Sequence, residues 1–452
     1  MHSQLIMKIL LFEDDGIQRL FPATVGRAAF TLSCGGFNLI QLLALTNNEL
    51  YAQTRKYVEQ TTLLDVNPYL PNQVNFDFPI IDDPNEPILL VNATLVPSIK
   101  STEILEQIIR DGRPTVIYNQ PSDNAAAQVH LQDNESVELL DEPQSVVAAA
   151  VVTAQQAWSL FEYNSYPQTI QSAIAKLRLP ASPFQLPIFQ RPHDLVYYHL
   201  TCFAENQSYR LAQGEYKEIQ DGVFVAPDVK LGDYLVANST NGPIIIDRGA
   251  SVGPYCYLCG PVYIGPDARI IEHAAIKDRV AVGRTTKIGG EVEASTIEPY
   301  TNKQHHGFLG HSYVGSWVNL GAGTCNSDLK NTYGTVVMEY PDGRYQTNMQ
   351  FLGCIIGDFA KTAINTSIFT GKLVGACSML YGYVTRNVPS FVNYARAFGQ
   401  ITEVSLDVLI ATQSRMFARR NIVQQDAHIQ LLKDMYEQTK HERLMANEPL
   451  QL

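Results

Sequence analysis

The stretch Asn302–Thr324, NKQHHGFLGHSYVGSWVNLGAGT, holds a lysine, three of the chain's ten histidines and a glycine-punctuated run. Histidine titrates near neutrality. His305, His306 and His311 could therefore each accept a proton as a general base, or ligate a metal as neutral imidazole. His306 and His311 are spaced His-x4-His, and with His273 they could complete a three-histidine zinc site. The bland reading of His306 and His311 is polar decoration of a turn. Cys256-Tyr-Leu-Cys259 has no second pair to complete a tetrahedral site, so it reads as core packing. Trp317 and Tyr313 could stack on a base or sugar, or equally cover the side of a scaffold.

The elements that must position these residues announce themselves by period. Ile246, Val252, Leu258, Ile264, Ile270, Ile276, Val282 and Ile288 fall six apart, with glycine following at Gly253, Gly265, Gly283 and Gly289. This is a hexapeptide repeat: each hexad is a short strand and a turn, and three hexads make a triangular coil with the aliphatic residue inside. The period returns at Ile356, Thr362, Ile368, Val374 and Leu380. Two irregular stretches interrupt it, roughly 296–308 and 325–350. Insertions in such a coil are expected as loops thrown outward from a corner. The first would extrude His305, and the PDGR of Pro341–Arg344 predicts a hairpin in the second.

Before the coil, residues 1–195 alternate strands such as KILLF, PILLVNATLV and PTVIYN with the helical STEILEQIIRDG, which ends on Gly112. Alternation predicts a mostly parallel, doubly wound α/β sheet. Residues 196–220 read as a linking helix, 221–390 as the β-helix, and 391–452 as a helical tail serving as cap or oligomer contact.

The 452 residues carry a formal charge of −12. That disfavours nucleic acid as a partner but not a small anion held by local cations. Seven scattered cysteines in a long chain argue against a disulfide framework. No apolar run reaches membrane-spanning length, and the N-terminus lacks a signal-peptide layout. A cytoplasmic protein with no membrane partner is expected.

The hexapeptide array is similar to that of left-handed parallel β-helix proteins, many of them acyltransferases. HHGFLGHSYVGSWVNLGAGTCN resembles the acetyltransferase half of the bifunctional UDP-N-acetylglucosamine pyrophosphorylase/glucosamine-1-phosphate N-acetyltransferase family. Counting back from Leu309-Gly310, His305 falls on that family's catalytic histidine and Phe308 on its tyrosine. Asn319, Ala322 and Asn326 fall on residues lining the sugar and coenzyme A sites. The resemblance implies acetyl-CoA as cofactor and N-acetylation of an amino-sugar phosphate, with His305 as base and GAGT backbone N–H groups steadying the oxyanion. It also implies a homotrimer whose clefts join one subunit's insertion to a neighbour's corner. Lys303, Arg269, Arg279, Arg284, Lys287 and Lys330 are the cations available for a sugar phosphate. The family's own phosphate-binding arginine and lysine are replaced by Ile271 and Ser295.

LLFEDDGIQRLFPATVGRAAF resembles the opening of sugar-phosphate nucleotidyltransferases, with Arg19, Leu20, Pro22 and Thr24 in register. Asp14, Asp15 and Ile17 replace the phosphate-cradling glycines, and Ala29 the lysine. Ala93 or Thr94 stands where a magnesium-binding aspartate is expected. If this domain acts on a nucleotide, Arg19 and Arg27 would hold phosphate, and Asp14 or Asp15 would have to serve Mg2+. The alternatives are a nucleotide-sugar-binding protein with an inactive front domain, and a zinc hydratase like the γ-class carbonic anhydrases.

Overall fold

The computed structural model describes residues 6–120, 145–162 and 169–445. The front domain is built on one sheet in the order β3-β2-β1-β4-β6-β5-β7. Its strands are β1 (Lys8–Phe12), β2 (Glu49–Gln53), β3 (Val74–Asn75), β4 (Pro87–Asn92), β5 (Thr115–Asn119), β6 (Val147–Thr153) and β7 (Ala181–Leu186). Strand β6 runs antiparallel to both β4 and β5, and the other pairings are parallel. The central strands are apolar throughout because helices cover both faces. Ile9 and Leu11 enter one core while Leu10 and Phe12 enter the other. Helix α1 spans Leu39–Ala44 and α2 Lys56–Asp65. Helix α3 (Ile99–Asp111) starts where the Ser98 side chain accepts from the Ser101 N–H, and stops at Gly112 in the left-handed region (φ 60°). Helices α4 (Ala154–Glu162) and α5 (Ile170–Lys176) follow.

Helix α6 (Asp194–Gln213) joins the two halves and lies along the coil, its Phe203 packed on Ile245, Tyr263 and Ala281. The coil is a parallel β-helix with three faces. The first face runs from Lys217–Gln220 to Lys372–Val374. The second begins with Lys230–Leu231, Ser251–Val252, Arg269–Ile270, Lys287–Ile288 and Asn302–Lys303. The third begins with Val236–Asn238, Tyr257–Cys259, Ala275–Lys277, Glu291–Glu293 and Phe308–Gly310. Every hexad residue from Ile246 to Ile288 lies in one interior core, as the period requires. Cys256 and Cys259 are buried free thiols.

The coil does not break at 296–308. Asn302–Lys303 pairs in register with Lys287–Ile288, and Phe308–Gly310 with Glu291–Glu293. Three regular hexads beyond Ile288 would have put His306 inside. The corners shorten instead, the ladder hydrogen bonds are kept, and Lys303 becomes the interior residue. The extruded loop expected from the lapsed period is thus a shortened turn.

The second insertion does form a hairpin, Val337–Tyr340 with Gly343–Gln346. It folds back onto its own front domain rather than outward. Arg191 donates two hydrogen bonds to Asp342 (2.9 and 2.6 Å), and His193 Nδ1 meets the Tyr340 hydroxyl at 2.5 Å. Val336, Met338 and Leu352 share a core with the front sheet. Much of the apolar side of the insertion is thus packed within the chain, while Tyr333 stays exposed. The tail opens with antiparallel strands Val392–Ala395 and Gln400–Glu403. Helices α7 (Leu406–Ala418), α8 (Asp426–Gln438) and α9 (Lys440–Met445) follow.

Candidate active site

Residues 304–307 turn the chain from the second face to the third. His305 and His306 are exposed there, and among the described residues neither ring has a hydrogen-bond partner. The same corner of earlier coils carries a stacked ladder: Tyr234 on Tyr255 (4.9 Å, 10°) and Tyr255 on His273 (5.3 Å, 8°). Next to the histidines the ladder stops. Gly289-Gly290 forms the corner on one side and Gly321-Ala322-Gly323 the corner on the other, leaving bare backbone around the two imidazoles. Gly290 has φ 71°, and a Cβ there would meet the His306 Cα at 2.9 Å, so both conformation and space demand glycine.

The three histidines of the zinc reading do not converge. His273 belongs to the aromatic ladder, and His311 lies at the following corner with its Nδ1 2.8 Å from Asp328 Oδ2. Among the described residues no group of three His, Cys, Asp or Glu could hold a metal. His311 is also more than decoration. Asp328 orients its ring, Phe351 stacks on it, and its carbonyl accepts from Gly353 N–H where the insertion rejoins the coil. Asp328 is a partner that sequence reasoning missed, since it sits seventeen residues away across the coil.

Lys303 does not face a substrate. It is 2% exposed, with Nζ 2.7 Å from the carbonyl oxygens of Gly289 and Gly307 and 3.4 Å from that of His305. Burial holds its ammonium down to a pKa of about 8. Asn326 is likewise interior: Oδ1 accepts from Gly310 N–H (2.9 Å) and Nδ2 donates to Gly310 C=O (3.0 Å). Neither residue is available as the ligand contact the resemblance implies. Asn319 is half-buried on the second face and accepts from Asn302 Nδ2 at 2.8 Å. Phe308 lies half-buried on the third face, its N–H directed to Cys325 Sγ at 3.3 Å. Lys330 donates to the Thr335 carbonyl (3.0 Å), which ties it into the insertion away from the corner. Trp317 stacks on Tyr300 at 4.3 Å and packs on Phe417, while Tyr313 is buried against Glu298, so both cover the scaffold.

The GAGT segment is mostly committed. Gly321 N–H donates to Thr362 Oγ1, Gly323 N–H to His306 C=O, and Thr324 N–H to Gly321 C=O. Of the four, the Ala322 N–H alone has no partner among the described residues. An unpaired donor on bare backbone beside an exposed imidazole suits a developing oxyanion.

The front domain has turned its loop carboxylates inward. Glu13 is fully buried and paired with Arg55 (2.9 Å). Asp14 accepts from Gly16 N–H (2.9 Å), Asn92 Nδ2 (2.9 Å) and Gln171 Nε2 (2.5 Å). Burial raises its carboxyl pKa against those hydrogen bonds. Asn92, at the end of β4, accepts from the Thr94 N–H and hydroxyl, and Ala93 donates to Phe12 C=O. Asp15 is the exposed carboxylate of this loop. Mg2+ needs a set of hard oxygen donors, and these residues do not fit it. Arg19 is exposed and could meet an anion. Arg27 could not: its guanidinium grips Asp358 of the coil (3.0 and 2.5 Å) and lies 3.3 Å from Glu298. Glu298 in turn accepts from the Ser33 N–H (2.8 Å) and the Tyr313 hydroxyl (2.8 Å). The residue expected to hold phosphate is the buried clasp between the two domains.

Residues 9–200 match the family model described as sugar nucleotidyl transferase. The chain is 36% identical over 115 residues to the bifunctional protein GlmU of Cupriavidus pinatubonensis, covering 24% of this chain and 25% of that protein. It is 28% identical over 194 residues to GlmU of Bartonella quintana, covering 42% of this chain and 36% of the relative. The match thus spans about a quarter to a third of the length of these relatives. Among solved structures, a UDP-glucose pyrophosphorylase from Acinetobacter baumanii is 11% identical, covering 46% of this chain and all of that one, at a TM-score of 0.28. The UDP-N-acetylglucosamine acyltransferase of Francisella novicida is 15% identical, covering 51% and 74%, at 0.24. Likenesses at such scores carry no argument. The front domain thus matches the sugar nucleotidyl transferase model, and part of the chain is similar in sequence to the bifunctional GlmU proteins.

Proposed function

We propose that the chain is a transferase of sugar-nucleotide metabolism that acylates the amine of an amino-sugar phosphate or nucleotide sugar at the His305 corner. One observation carries this reading: His305 is exposed and, among the described residues, without a hydrogen-bond partner, at a corner that the Gly323 N–H to His306 C=O bond joins to the next, where the Ala322 N–H is unpaired among the described residues. A thioester donor of the acetyl-CoA type would bring the activated acyl carbon. His305 accepts the proton that the amine sheds as the new N–C bond forms and the C–S bond breaks. The Ala322 N–H is free to donate to the carbonyl oxygen as charge gathers there. Phe308, which cannot hydrogen-bond through its ring, leaves the acceptor less polar help than a tyrosine would. A homotrimer is part of the proposal, and Tyr234, Tyr255 and Ile364, all exposed along this corner column, support it.

The front domain is proposed as a nucleotide-sugar-shaped scaffold without metal-assisted transfer, because Glu13 and Asp14 are internally bonded and leave Asp15 as the one exposed carboxylate of the loop. Pyrophosphate release from any nucleoside triphosphate and sugar-1-phosphate would contradict that part. The acyltransferase part is tested by thiol release from acetyl-CoA with a panel of amino-sugar phosphates. His305→Ala is expected to lower turnover by about a hundredfold or more. An unchanged rate would remove His305 from the mechanism.

A further inference from the structure

The front domain and the coil enclose a cavity of about 420 Å³. On one side stand α2, the Asn67–Tyr69 turn and the chain that leads into α1. On the other stands one corner of the coil, met again in successive coils from Asp247 to Phe359. Asp14, Asp15, Arg19 and His305 do not line it. Two guanidiniums on its walls join the domains. Arg210 of α6 lies 3.8 Å from the ring centre of Phe37 in the front domain and 3.8 Å from that of Tyr263 in the coil. Arg284 of the coil lies 3.2 Å from the ring centre of Tyr69 in the front domain and 5.1 Å from that of Tyr300 in the coil. Stacking uses the flat faces of a guanidinium and leaves its N–H edge for polar partners.

Those edges meet neutral groups. Arg210 donates to Gly36 C=O, and Arg284 to Asp65 C=O at 2.6 Å. Arg248 lines the same cavity, and none of the three has a carboxylate within ion-pair distance among the described residues. The carboxylates of the wall are placed otherwise. Glu298 and Asp358 are answered by Arg27. Asp247 accepts from the Tyr263 hydroxyl at 2.8 Å and the Arg248 N–H at 2.8 Å. Asp267 is exposed, with no cation in ion-pair distance among the described residues. The wall therefore carries cations and carboxylates that do not neutralise one another. Arg210 and Arg284 are half-buried, where a missing counter-charge costs more than in open solvent. A phosphate monoester presents several oxygens to guanidinium edges, and sugar hydroxyls donate to carboxylates. A free sugar would leave the arginines unanswered, and inorganic phosphate would leave the carboxylates so. Metabolite pockets span about 300–1,000 Å³, so this cavity suits a small ligand.

We propose that this interdomain cavity binds a monosaccharide phosphate, with Arg210, Arg248 and Arg284 on the phosphate and Asp247 and Asp267 on the hydroxyls. The site rests on neither His305 nor the altered front loop, and it stands whether or not the chain transfers an acyl group. Because its walls come from both domains, a ligand here would hold them together and stabilise the whole chain.

Calorimetry on the full chain with a hexose phosphate, the free hexose, inorganic phosphate and a nucleoside monophosphate tests the assignment. The hexose phosphate is expected to bind at least about tenfold more tightly than either of its fragments. Arg284→Gln and Arg248→Gln should each weaken it about tenfold, and Asp267→Asn should weaken it without weakening inorganic phosphate. The Arg248 and Asp267 side chains belong to exposed residues, so folding is spared in those two variants. Lys230→Gln, on the coil outside the cavity, should change nothing. Absence of hexose phosphate binding at millimolar concentration overturns the proposal, as does unchanged affinity in both Arg248→Gln and Asp267→Asn. Tighter binding of the nucleoside monophosphate would reject the monosaccharide. Affinity that survives the cavity variants but falls in Arg19→Gln or His305→Ala would put the sugar phosphate at another site and overturn this one. Binding that depends on the cavity in a chain without acyl transfer would uphold the site and reject the acyltransferase reading.

Discussion

The Lys303 Nζ lies 2.7 Å from the carbonyl oxygen of Gly307, inside the coil and beneath the turn that carries His305. The same ammonium reaches Gly289 C=O on the preceding coil at 2.7 Å. It therefore straps two glycine corners together where the preceding coils hold the aliphatic Val252, Ile270 and Ile288. The strap fixes the backbone from which the proposed base projects.

This strap sets a pH dependence. An ordinary lysine titrates at 10.5 and Lys303 at about 8, so between those values the unfolded chain binds the extra proton. Stability linked to this group rises with pH across that window, by about 3 kcal/mol at most. Denaturant unfolding at pH 7, 8.5 and 10 should show wild type gaining on Lys303→Met as pH rises. A constant difference would mean that the ammonium is not held as described.

Burial of His199 works in the opposite pH range. Its Nδ1 accepts from Gly35 N–H (3.0 Å), and its Nε2 meets Arg279 C=O at 2.6 Å. Desolvation lowers its pKa to about 4 from an ordinary 6.5. The unfolded chain binds the proton first as pH falls from 6.5 to 4, so stability is lost over that interval, up to about 3 kcal/mol. Melting curves of His199→Gln should flatten the decline between pH 7 and 5.

The Arg27 clasp is a stability element. Asp358 and Glu298 are 5% and 2% exposed in their side chains, and removing their cation leaves two buried carboxylates uncompensated. Arg27→Ala should cost about 3–5 kcal/mol. Arg27→Lys, which keeps the charge but loses the two-pronged geometry, should recover part of it. Thermal melts decide this, and unaltered stability would place Arg27 outside the interface.

Cysteine accessibility maps the corner. Six of the seven thiols are buried and Cys325 is half-buried, with its Sγ accepting from Phe308 N–H. A small alkylating reagent should label one thiol in the native state, and mass mapping should find it at Cys325. Rapid labelling of Cys256 would contradict its place in the coil interior.

Period and type sufficed for much of this architecture. Each residue of the Ile246–Ile288 series points inside because six residues make one strand and one turn whatever surrounds them. Ser98 and Gly112 bracket α3 by local hydrogen bonding and a left-handed φ, and Pro341-Asp342 turns the hairpin, again by local chemistry. Residue type also marked His305 and the altered EDDG loop as the places where function would be decided. The destinations of the long, charged side chains were a different matter. Lys303 and Arg27 look like phosphate ligands in the sequence. A shortened coil corner takes one inside, and a domain interface takes the other. Glu298, Asp358 and Asp328 became visible as partners only when strands and insertions distant in sequence were brought together. The same holds for Tyr69 of the front domain against Arg284 of the coil. A hexad fixes which way a side chain points through short-range sterics, but whether a charge meets solvent, a carbonyl or another charge depends on elements hundreds of residues away.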